Sequence, residues 1–332
     1  MHELAFPLLV ALIALALAFD FLNGLHDAAN SIATVVSTQL LSPVQAVVFA
    51  AVGNFAAYWI VGLHVAETVG KGIVDKDIVT PAVVFGALIG AMFWNIVTWL
   101  KGIPSSSSHA LIGGLLGAGI TAGGFGAIET AGTLKTLFAI FLSPMLGFFI
   151  AMGLMLLSSV VFQRSTPRKA NGTFKVMHLF SSAAYSVSHG GNDAQKTMGI
   201  IAVLLYSTGH LGGEFRVPEW VVLSCYAAIS LGTLSGGWRI IRTMGTGLTK
   251  LNHHSGFCAS TAGSIVVFGA SAMGIPVSTT HAISGSVVGT GAARRTSAVR
   301  WNVATRVVTA WFITIPASAI VGAAFYLLTR LF

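Results

Sequence analysis

Two short segments of the chain carry hydroxyl side chains directly after a proline. Residues 103–110 read IPSSSSHA, and residues 275–282 read IPVSTTHA. Each segment precedes an apolar, glycine-rich stretch, so its hydroxyl groups lie at the start of a predicted helix, where backbone N–H groups have no partner. A cluster of N–H and O–H donors of this kind can hold an oxyanion. A single copy would be best explained as a capped turn, but two copies in matching contexts indicate a binding site.

A second motif also occurs twice and places an aspartate at membrane depth. Residues 24–30 read GLHDAAN and residues 190–196 read GGNDAQK, so Asp27 aligns with Asp193. An ionisable side chain within an apolar span is costly and is therefore a candidate functional residue. Because carboxylates do not attract an anion, we expect this pair to bring a cation, either a proton or a metal ion. For Asp20, a function and a position near the membrane interface are equally good interpretations.

The polar side chains around these motifs are candidate ligands for the anion or for its accompanying cation. Neutral amides can coordinate an anion or a cation, and Lys196 can either pair with Asp193 or serve as a counter-charge for the anion. His26 is a candidate proton carrier, because histidine titrates near neutral pH. The candidate anion-binding residues are Ser106, Ser107, Ser108, Ser278, Thr279, Thr280, Gln195 and Lys196. The candidates for a coupling ion or proton are Asp27, Asp193, Asn30, Asn192 and His26, and those for a metal ion are Asp27 and Asp193.

The remaining histidines are assigned structural roles. We expect His109 and His281, which close the hydroxyl segments, to hydrogen-bond to a helix end or a nearby carbonyl group. His189, His253 and His254 are interpreted as cap or loop residues. Serines next to a histidine do not indicate a hydrolase, because adjacency in sequence does not create a nucleophile–base pair and the chain has no G-x-S-x-G motif. We therefore predict that the protein is not an enzyme.

The composition is typical of a membrane protein. Of the 332 residues, 55% are hydrophobic and 8% are charged, whereas a soluble domain carries roughly a quarter charged residues. Several apolar stretches reach the roughly 20 residues that cross a bilayer, which predicts a multi-pass protein. The predicted spans are 4–36, 44–66, 81–101, 104–124, 135–162, 176–206, 219–238, 253–274, 276–292 and 302–330.

The net charge of +8 does not indicate nucleic-acid binding. If the N-terminus lies outside, twelve Lys and Arg residues fall in inside loops and five fall in outside loops. Arg239 and Arg242 are among the twelve, and the acidic Glu3 lies outside. This is the positive-inside pattern of membrane proteins, and the basic loops are short and lack interleaved aromatic residues. Cys225 and Cys258 lie alone in apolar surroundings and fit neither a disulfide framework nor a metal site.

The two motifs recur in the same order and at similar separation. Asp27 precedes His109 by 82 residues, and Asp193 precedes His281 by 88 residues. We therefore predict one transmembrane domain, residues 1–332, that arose by internal duplication. Five spans per repeat is an odd number, so the second repeat enters the membrane from the opposite side and the repeats are inverted. The first repeat is 1–162, the cytoplasmic linker is 163–175 and the second repeat is 176–332.

The predicted fold is an all-α integral membrane protein with about 10–12 membrane segments around a central site. Broken helices are tolerated in a bilayer only where protein or a wet cavity covers them, so we expect the breaks to converge at that site. The two proline segments either span the membrane or form re-entrant hairpins. The predicted breaks lie around Gly24, Pro104, Gly190 and Pro276.

With these motifs in place, the chain resembles the inorganic phosphate transporter (PiT) family over nearly its whole length. The motifs that carry the resemblance are GLHDAAN at 24–30, GIPSSSSHALIG at 102–113, HGGNDAQKTMG at 189–199 and GIPVSTTHAISG at 274–285. Many sodium-coupled members have Asn where this chain has His26, and Glu at the positions that correspond to Asn54 and Ser260. In these departures the chain is similar to members of the bacterial low-affinity branch. That branch is associated with proton coupling and with uptake of metal–phosphate complexes.

The resemblance implies a symporter of inorganic phosphate in the bacterial inner membrane, with both termini outside. It implies no cofactor. The expected coupling cation, which would travel with phosphate, is a proton. Mg²⁺ or another divalent metal ion is a further candidate for this role, and Na⁺ is disfavoured. The alternatives are a sodium-coupled phosphate symporter and a passive anion channel on the same fold. The expected partners are inorganic phosphate and the lipid bilayer, without nucleic acid, and a homo-oligomer is left open.

Overall fold

The computed structural model describes residues 6–331, and within them every side chain except those of Arg239, Arg242 and Thr246. The positions predicted for Glu3, Arg239 and Arg242 therefore lie outside the described set. The described chain folds into α-helices joined by short turns, 3₁₀ segments and one π-helical turn. The α-helices are α1 (Phe6–Ser37), α2 (Pro43–Ile60), α3 (His64–Lys71), α4 (Pro81–Lys101), α5 (Ser107–Gly123), α6 (Thr130–Val161), α7 (Pro167–Ser207), α8 (Glu219–Ser235), α9 (Trp238–Arg242), α10 (His253–Ala272), α11 (Thr279–Arg294) and α12 (Trp301–Leu328).

Six of these helices are long and apolar enough to cross a membrane, namely α1, α2, α4, α6, α10 and α12. Many of their large apolar side chains are exposed on the outer surface, for example Trp59, Phe138 and Ile320. An exposed apolar belt of this kind is unfavourable in water and favourable in lipid. The structure therefore confirms the predicted all-α, multi-pass membrane protein.

The predicted breaks at Pro104 and Pro276 are confirmed, and the two copies have the same geometry. Gly102 and Gly274 each follow the preceding helix with a left-handed backbone, at φ 64° and φ 65°. The N–H of the next residue then returns to the helix, from Ile103 to the Thr98 carbonyl at 2.9 Å and from Ile275 to the Ala270 carbonyl at 2.8 Å. A positive φ is readily adopted by glycine alone, which explains the glycine at each helix end.

The predicted breaks at Gly24 and Gly190 are wrong, because α1 and α7 run through both positions without interruption. Both glycines allow close helix packing instead. A Cβ atom on Gly24 would lie 2.1 Å from the Ile229 carbonyl oxygen, and one on Gly190 would lie 2.5 Å from the Asn54 carbonyl oxygen. Small residues let membrane helices approach until their backbones touch. The two aspartate motifs therefore lie on continuous, tightly packed helices.

Each hydroxyl helix is covered by the last long helix of the other half. For α5 and α12, a Cβ on Gly113 would meet the Ile315 carbonyl oxygen at 2.5 Å, and one on Gly117 would meet the Ala319 carbonyl oxygen at 2.0 Å. Both contacts advance by four residues in the same direction, so α5 and α12 run parallel.

The pairing of α11 with α6 repeats this arrangement. A Cβ on Gly285 would meet the Pro144 carbonyl oxygen at 2.2 Å, and one on Gly289 would meet the Phe148 carbonyl oxygen at 2.2 Å. These helices also run parallel, because the contacts again advance by four residues on both.

The connection between the two halves is shorter than the sequence suggests. Helix α6 ends at Val161 and α7 begins at Pro167, so the segment 163–175 is helical over most of its length. Thr166 caps this helix through its side chain, and proline at the first helical position is compatible with the start of a helix. The mostly polar residues 167–175 therefore form the first turns of α7.

Candidate functional site

The two aspartates predicted from the repeated motif meet in the centre of the molecule. Asp27 of α1 is 1% exposed and Asp193 of α7 is fully buried. One ligand atom from each, together with one ring nitrogen of His189, lie within 4.8 Å of one another. Two carboxylates at this separation repel each other unless a cation or a proton lies nearby. The two copies of the aspartate motif therefore contribute to one shared site.

Asp27 is hydrogen-bonded by hydroxyl groups from both halves. Ser107 of α5 donates to Oδ2 at 3.0 Å, and Thr280 of α11 donates to Oδ1 at 3.4 Å. The side-chain amide of Asn30, one turn along α1, donates to the Thr280 hydroxyl at 2.9 Å. The starts of α5 and α11 thus converge on the same carboxylate.

Asp193 is held by one hydroxyl group and by the buried ammonium of Lys196. Thr279 donates to Asp193 Oδ2 at 3.1 Å. Lys196 donates to the Asp193 carboxylate, to the Ser108 hydroxyl and to the Val277 carbonyl oxygen. These bonds use all three hydrogens of the ammonium group. Lys196 therefore links α7 to both hydroxyl segments while it pairs with Asp193.

His26 connects Asp27 to the end of α4. Its Nδ1 lies 2.9 Å from Asp27 Oδ1, and its Nε2 lies 3.1 Å from the Thr98 hydroxyl oxygen. Ser105, immediately before the hydroxyl helix, donates to the same Thr98 oxygen at 2.8 Å. The imidazole is almost fully buried, and the Ser105 hydroxyl oxygen, 3.4 Å from Nε2, is a further polar neighbour.

His189 was interpreted from sequence as a cap or loop residue, and the structure places it in the site. It lies one turn before Asp193 on α7, with Nε2 3.2 Å from Asp193 Oδ2. Its Nδ1 lies 3.1 Å from the Asn54 amide oxygen, and the Asn54 amide nitrogen donates to Thr233 at 2.8 Å. The i, i+4 spacing, which brings two side chains together on a helix, is the sequence signal that could have identified it.

Gln195 does not point towards the other predicted anion ligands. Its amide oxygen accepts from the backbone N–H groups of Val65 and Ala66, at 2.9 and 3.3 Å. Its amide nitrogen donates to the carbonyl oxygens of Gly62 and Gly191. The side chain thus caps α3, so its predicted role in anion binding is not supported by this geometry.

Ser106 and Ser278 are the N-caps of α5 and α11. Each side-chain oxygen accepts from the backbone N–H of the histidine three residues later, at 3.2 Å in both copies. Capping uses an acceptor site of each oxygen and leaves the hydroxyl hydrogen free, so the anion-binding role of these two serines stays a prediction. The other predicted anion ligands of the two segments, with the contacts they make here, are Ser107, Ser108, Thr279, Thr280 and Lys196.

Asn192 lies at the edge of the site. Its amide nitrogen donates to the Ser271 hydroxyl at 2.8 Å and to the Ile275 carbonyl oxygen at 3.4 Å. Within the described residues its amide oxygen has no hydrogen-bond partner, and the same holds for the amide oxygen of Asn30. Two buried oxygen acceptors without donors are free to coordinate a cation.

The charged groups of the site nearly balance. Asp27 and Asp193 bring two negative charges if both are ionised, and Lys196 brings one positive charge. A proton shared by His26 and Asp27 makes the group neutral. A buried group of charges is stable only when it is paired. An anion placed here alone would leave a net charge in the protein interior, whereas an anion placed together with a cation would not.

Comparison with known proteins gives a consistent picture. A family model described as the phosphate transporter family matches residues 23–322. The chain is 62% identical to a probable low-affinity inorganic phosphate transporter of Rhizobium meliloti, with 97% of each chain covered. It is 42% identical to a protein of the same description from Bacillus subtilis, with 98% of each covered. A solved structure titled "The sodium-dependent phosphate transporter" superposes with a TM-score of 0.91 at 26% identity, covering 98% of this chain and 100% of that chain.

Proposed function

Because the chain belongs to the phosphate transporter family, we propose that it is a symporter that carries inorganic phosphate inward across the bacterial inner membrane together with protons. Its relatives and its fold are those of transporters and not of enzymes. The multi-pass helical architecture is in accord with a membrane carrier. The finer points, namely the coupling ion, the ligand residues and the orientation, are argued below from the site.

Proton coupling is supported by the hydrogen bonds around His26. The Thr98 hydroxyl donates its single hydrogen to the Trp94 carbonyl oxygen at 2.9 Å. Its oxygen can therefore accept from Nε2 of His26, and the Ser105 hydroxyl, 3.4 Å from Nε2, is the other polar neighbour of that nitrogen. The opposite nitrogen, Nδ1, faces Asp27 Oδ1 at 2.9 Å. If Nε2 donates to Thr98, the contact between Nδ1 and the carboxylate needs one further proton, so the buried His26–Asp27 pair is suited to take up and release a proton. This observation carries the proposal.

Phosphate binding is assigned to hydroxyl groups from both halves. Ser107, Thr279 and Thr280 donate to the two carboxylates, and Ser108 donates to the Val277 carbonyl oxygen. Each of these hydroxyl hydrogens can turn to a phosphate oxygen, and the N–H groups at the first turns of α5 and α11 add further donors. Lys196, which already contacts both segments, would neutralise part of the phosphate charge.

A divalent metal could enter as part of a metal–phosphate complex. Asp27, His189 and Asp193 offer two carboxylate oxygens and one imidazole nitrogen within 4.8 Å of one another. Carboxylates suit Mg²⁺ and Mn²⁺, and an imidazole shifts the preference towards transition metals. The unpaired amide oxygens of Asn30 and Asn192 would add neutral ligands near the two aspartates.

The two halves are proposed to have opposite orientations in the membrane. If the halves had the same orientation, α5 would run parallel to its counterpart α11 and α6 to α12. Consecutive spans such as α5 and α6 run antiparallel, so the observed parallel pairs α5–α12 and α6–α11 fit oppositely oriented halves. Inverted repeats with interrupted segments near the midplane are typical of secondary transporters.

Sodium coupling is the second candidate, and one observation favours it. The solved structure that superposes on the whole chain has a title that describes a sodium-dependent transporter. Asn54 and Ser260 stand against sodium here, because both are neutral residues with protein partners. Asn54 binds His189 and Thr233, and Ser260 contacts the hydroxyl groups of Thr34 and Ser182.

The test is uptake of labelled phosphate into proteoliposomes, with proton, sodium and magnesium gradients imposed one at a time. We expect an inward proton gradient to drive accumulation above the external concentration, and a sodium gradient at constant pH to leave uptake unchanged. His26→Gln is expected to remove the response to the proton gradient, and the matched control His210→Gln, at an exposed site, to retain it. Accumulation driven by sodium would support the second candidate, and dissipation of a gradient without accumulation would indicate a channel.

A further inference from the structure

Asp20 of α1 is a buried carboxylate that the proposed transport site does not use. The side chain is completely buried, so it does not reach the membrane interface. Seven residues of helix separate it from Asp27, which corresponds to about 10 Å along the axis. Among the described residues, no donor forms a hydrogen bond with either of its carboxylate oxygens.

The nearest polar neighbours of Asp20 come from two other helices. The Thr197 hydroxyl of α7 and the Cys225 thiol of α8 interact with the carboxylate. Asn23 lies one turn further along α1 on the same face as Asp20. Asn23 Oδ1 and Thr197 Oγ1 are also buried and have no hydrogen-bond partner among the described residues. Helices α1 and α7 thus bring four oxygens without a hydrogen-bond partner to neighbouring positions, and α8 adds the Cys225 thiol.

The charges around Asp20 do not neutralise it. Asp193 and Lys196 are the charged residues that influence the carboxylate, and they are already paired with each other. A buried carboxylate without a partner is strongly unfavourable, so the group either binds a cation or carries a proton.

The ligand set favours a hard monovalent cation. It consists of one carboxylate and neutral hydroxyl and amide oxygens, and a second carboxylate or an imidazole is not part of it in the described structure. Mg²⁺ retains several waters and prefers an octahedral shell, which this buried region does not offer. Transition metals prefer several nitrogen or sulfur ligands. Among the described residues, the only three His, Cys, Asp or Glu side chains whose ligand atoms lie close enough together to hold a metal ion are Asp27, His189 and Asp193.

We propose that Asp20, with Asn23 and Thr197, forms a second cation site that binds a monovalent alkali cation such as Na⁺ independently of phosphate. The ligands come from α1 and α7, so an occupied site ties the first helix of one half to the first helix of the other. Binding at Asp20 would stabilise the protein without driving uptake, which separates this site from a sodium-coupled mechanism at the Asp27–Asp193 pair.

The experiment measures the thermal unfolding midpoint of the purified full-length protein in detergent, without phosphate. NaCl, KCl and choline chloride are compared at equal ionic strength and constant pH. A ligand that binds only the folded state raises the midpoint with concentration. We expect NaCl to raise the midpoint of the wild type relative to choline chloride, Asp20→Asn to lose this response, and the matched control Asp27→Asn to retain it.

A second variant keeps the test decisive if Asp20→Asn does not fold. Thr197→Val preserves the shape of the side chain and removes one oxygen, so the sodium concentration for half of the midpoint shift should rise roughly tenfold. The proposal is overturned if the wild type responds equally to all three salts, or if Asp20→Asn retains the sodium response. It is also overturned if infrared spectra in NaCl show a protonated carboxylic acid band that disappears in Asp20→Asn. No arm of this test depends on phosphate transport, so its failure would leave the proposed function standing.

Discussion

His109 of α5 and His281 of α11 contact each other edge to face, with ring centroids 4.3 Å apart and ring planes at 86°. They close the two hydroxyl segments, so they hold matching positions in the two halves. In a molecule of two matching halves, contact between matching residues occurs next to the axis that relates the halves. Trp311 stacks on His281 at 3.7 Å and completes the packing. The pair thus packs ring against ring, and the hydrogen bonds to a helix end or a carbonyl group that the sequence predicted are not formed among the described residues.

The first prediction concerns the ion pair of Asp193 and Lys196. Asp193→Asn leaves the buried ammonium without its counter-charge, and we expect a loss of stability of about 3–5 kcal/mol together with loss of phosphate uptake. Thermal unfolding in detergent and uptake by proteoliposomes measure the two effects. The double variant Asp193→Asn/Lys196→Met should regain most of the stability and none of the uptake. Recovery of uptake in the double variant would contradict a direct role of either charge.

The second prediction separates the two kinds of serine in the first hydroxyl segment. Ser107 bonds to Asp27, so Ser107→Ala should lower kcat/KM for phosphate uptake by about tenfold or more, since a hydrogen bond to a charged group contributes about 1.5–3 kcal/mol. Ser106 caps α5, so Ser106→Ala should cost about 0.5–2 kcal/mol of stability and change kcat/KM little. Equal losses of kcat/KM in both variants would argue against the assignment of Ser106 as a cap.

The third prediction tests the position of Gln195. Because its amide holds the start of α3, Gln195→Ala leaves the N–H groups of Val65 and Ala66 unpaired and should lower stability by about 1–3 kcal/mol. The KM for phosphate should stay within a factor of about two, since the contribution of this side chain to the anion is close to zero. A rise of KM comparable with that of Ser107→Ala would show that Gln195 does reach phosphate.

The fourth prediction compares two glycines in spanning helices. A Cβ on Gly117 would lie 2.0 Å from the Ala319 carbonyl oxygen, so Gly117→Ala should force α5 away from α12 and reduce both stability and uptake. Gly153 of α6 is the matched control, because a Cβ there meets no described atom within 4 Å. Gly153→Ala should raise stability by about 0.5–1 kcal/mol through helix propensity. Unfolding midpoints of the two variants provide the comparison.

The sequence predicted the parts of the site that depend on duplicated residues. Asp27 and Asp193 were expected to meet, and the hydroxyl residues that follow Pro104 and Pro276 were expected beside them; the structure brings these groups together. Duplication is informative because the same residues at the same spacing in both halves need a common cause. The proline breaks were also predictable, since proline cannot continue the preceding helix.

The sequence was misleading where one residue type has two uses. Gly24 and Gly190 were interpreted as helix breaks, but the same absence of a Cβ also permits close packing, and only the partner helix decides between them. Gln195 follows the motif aspartate by two residues and therefore lies on another face of α7. For His189, the i, i+4 spacing to Asp193 is visible in the sequence, whereas its second contact, with Asn54 of α2, is not.

The pairing of α5 with α12 has a consequence for the biogenesis of the protein. The ribosome delivers α5 to the membrane well before α12 has been made, because α12 begins only at Trp301. Until then the small-residue face of α5, with Gly113 and Gly117, has lipid or an insertion factor against it in place of its final neighbour. The first half therefore completes its packing only after α12 has been inserted, and truncations that remove α12 should be recognised by membrane quality-control proteases even though they retain Asp27, Asp193 and both hydroxyl segments.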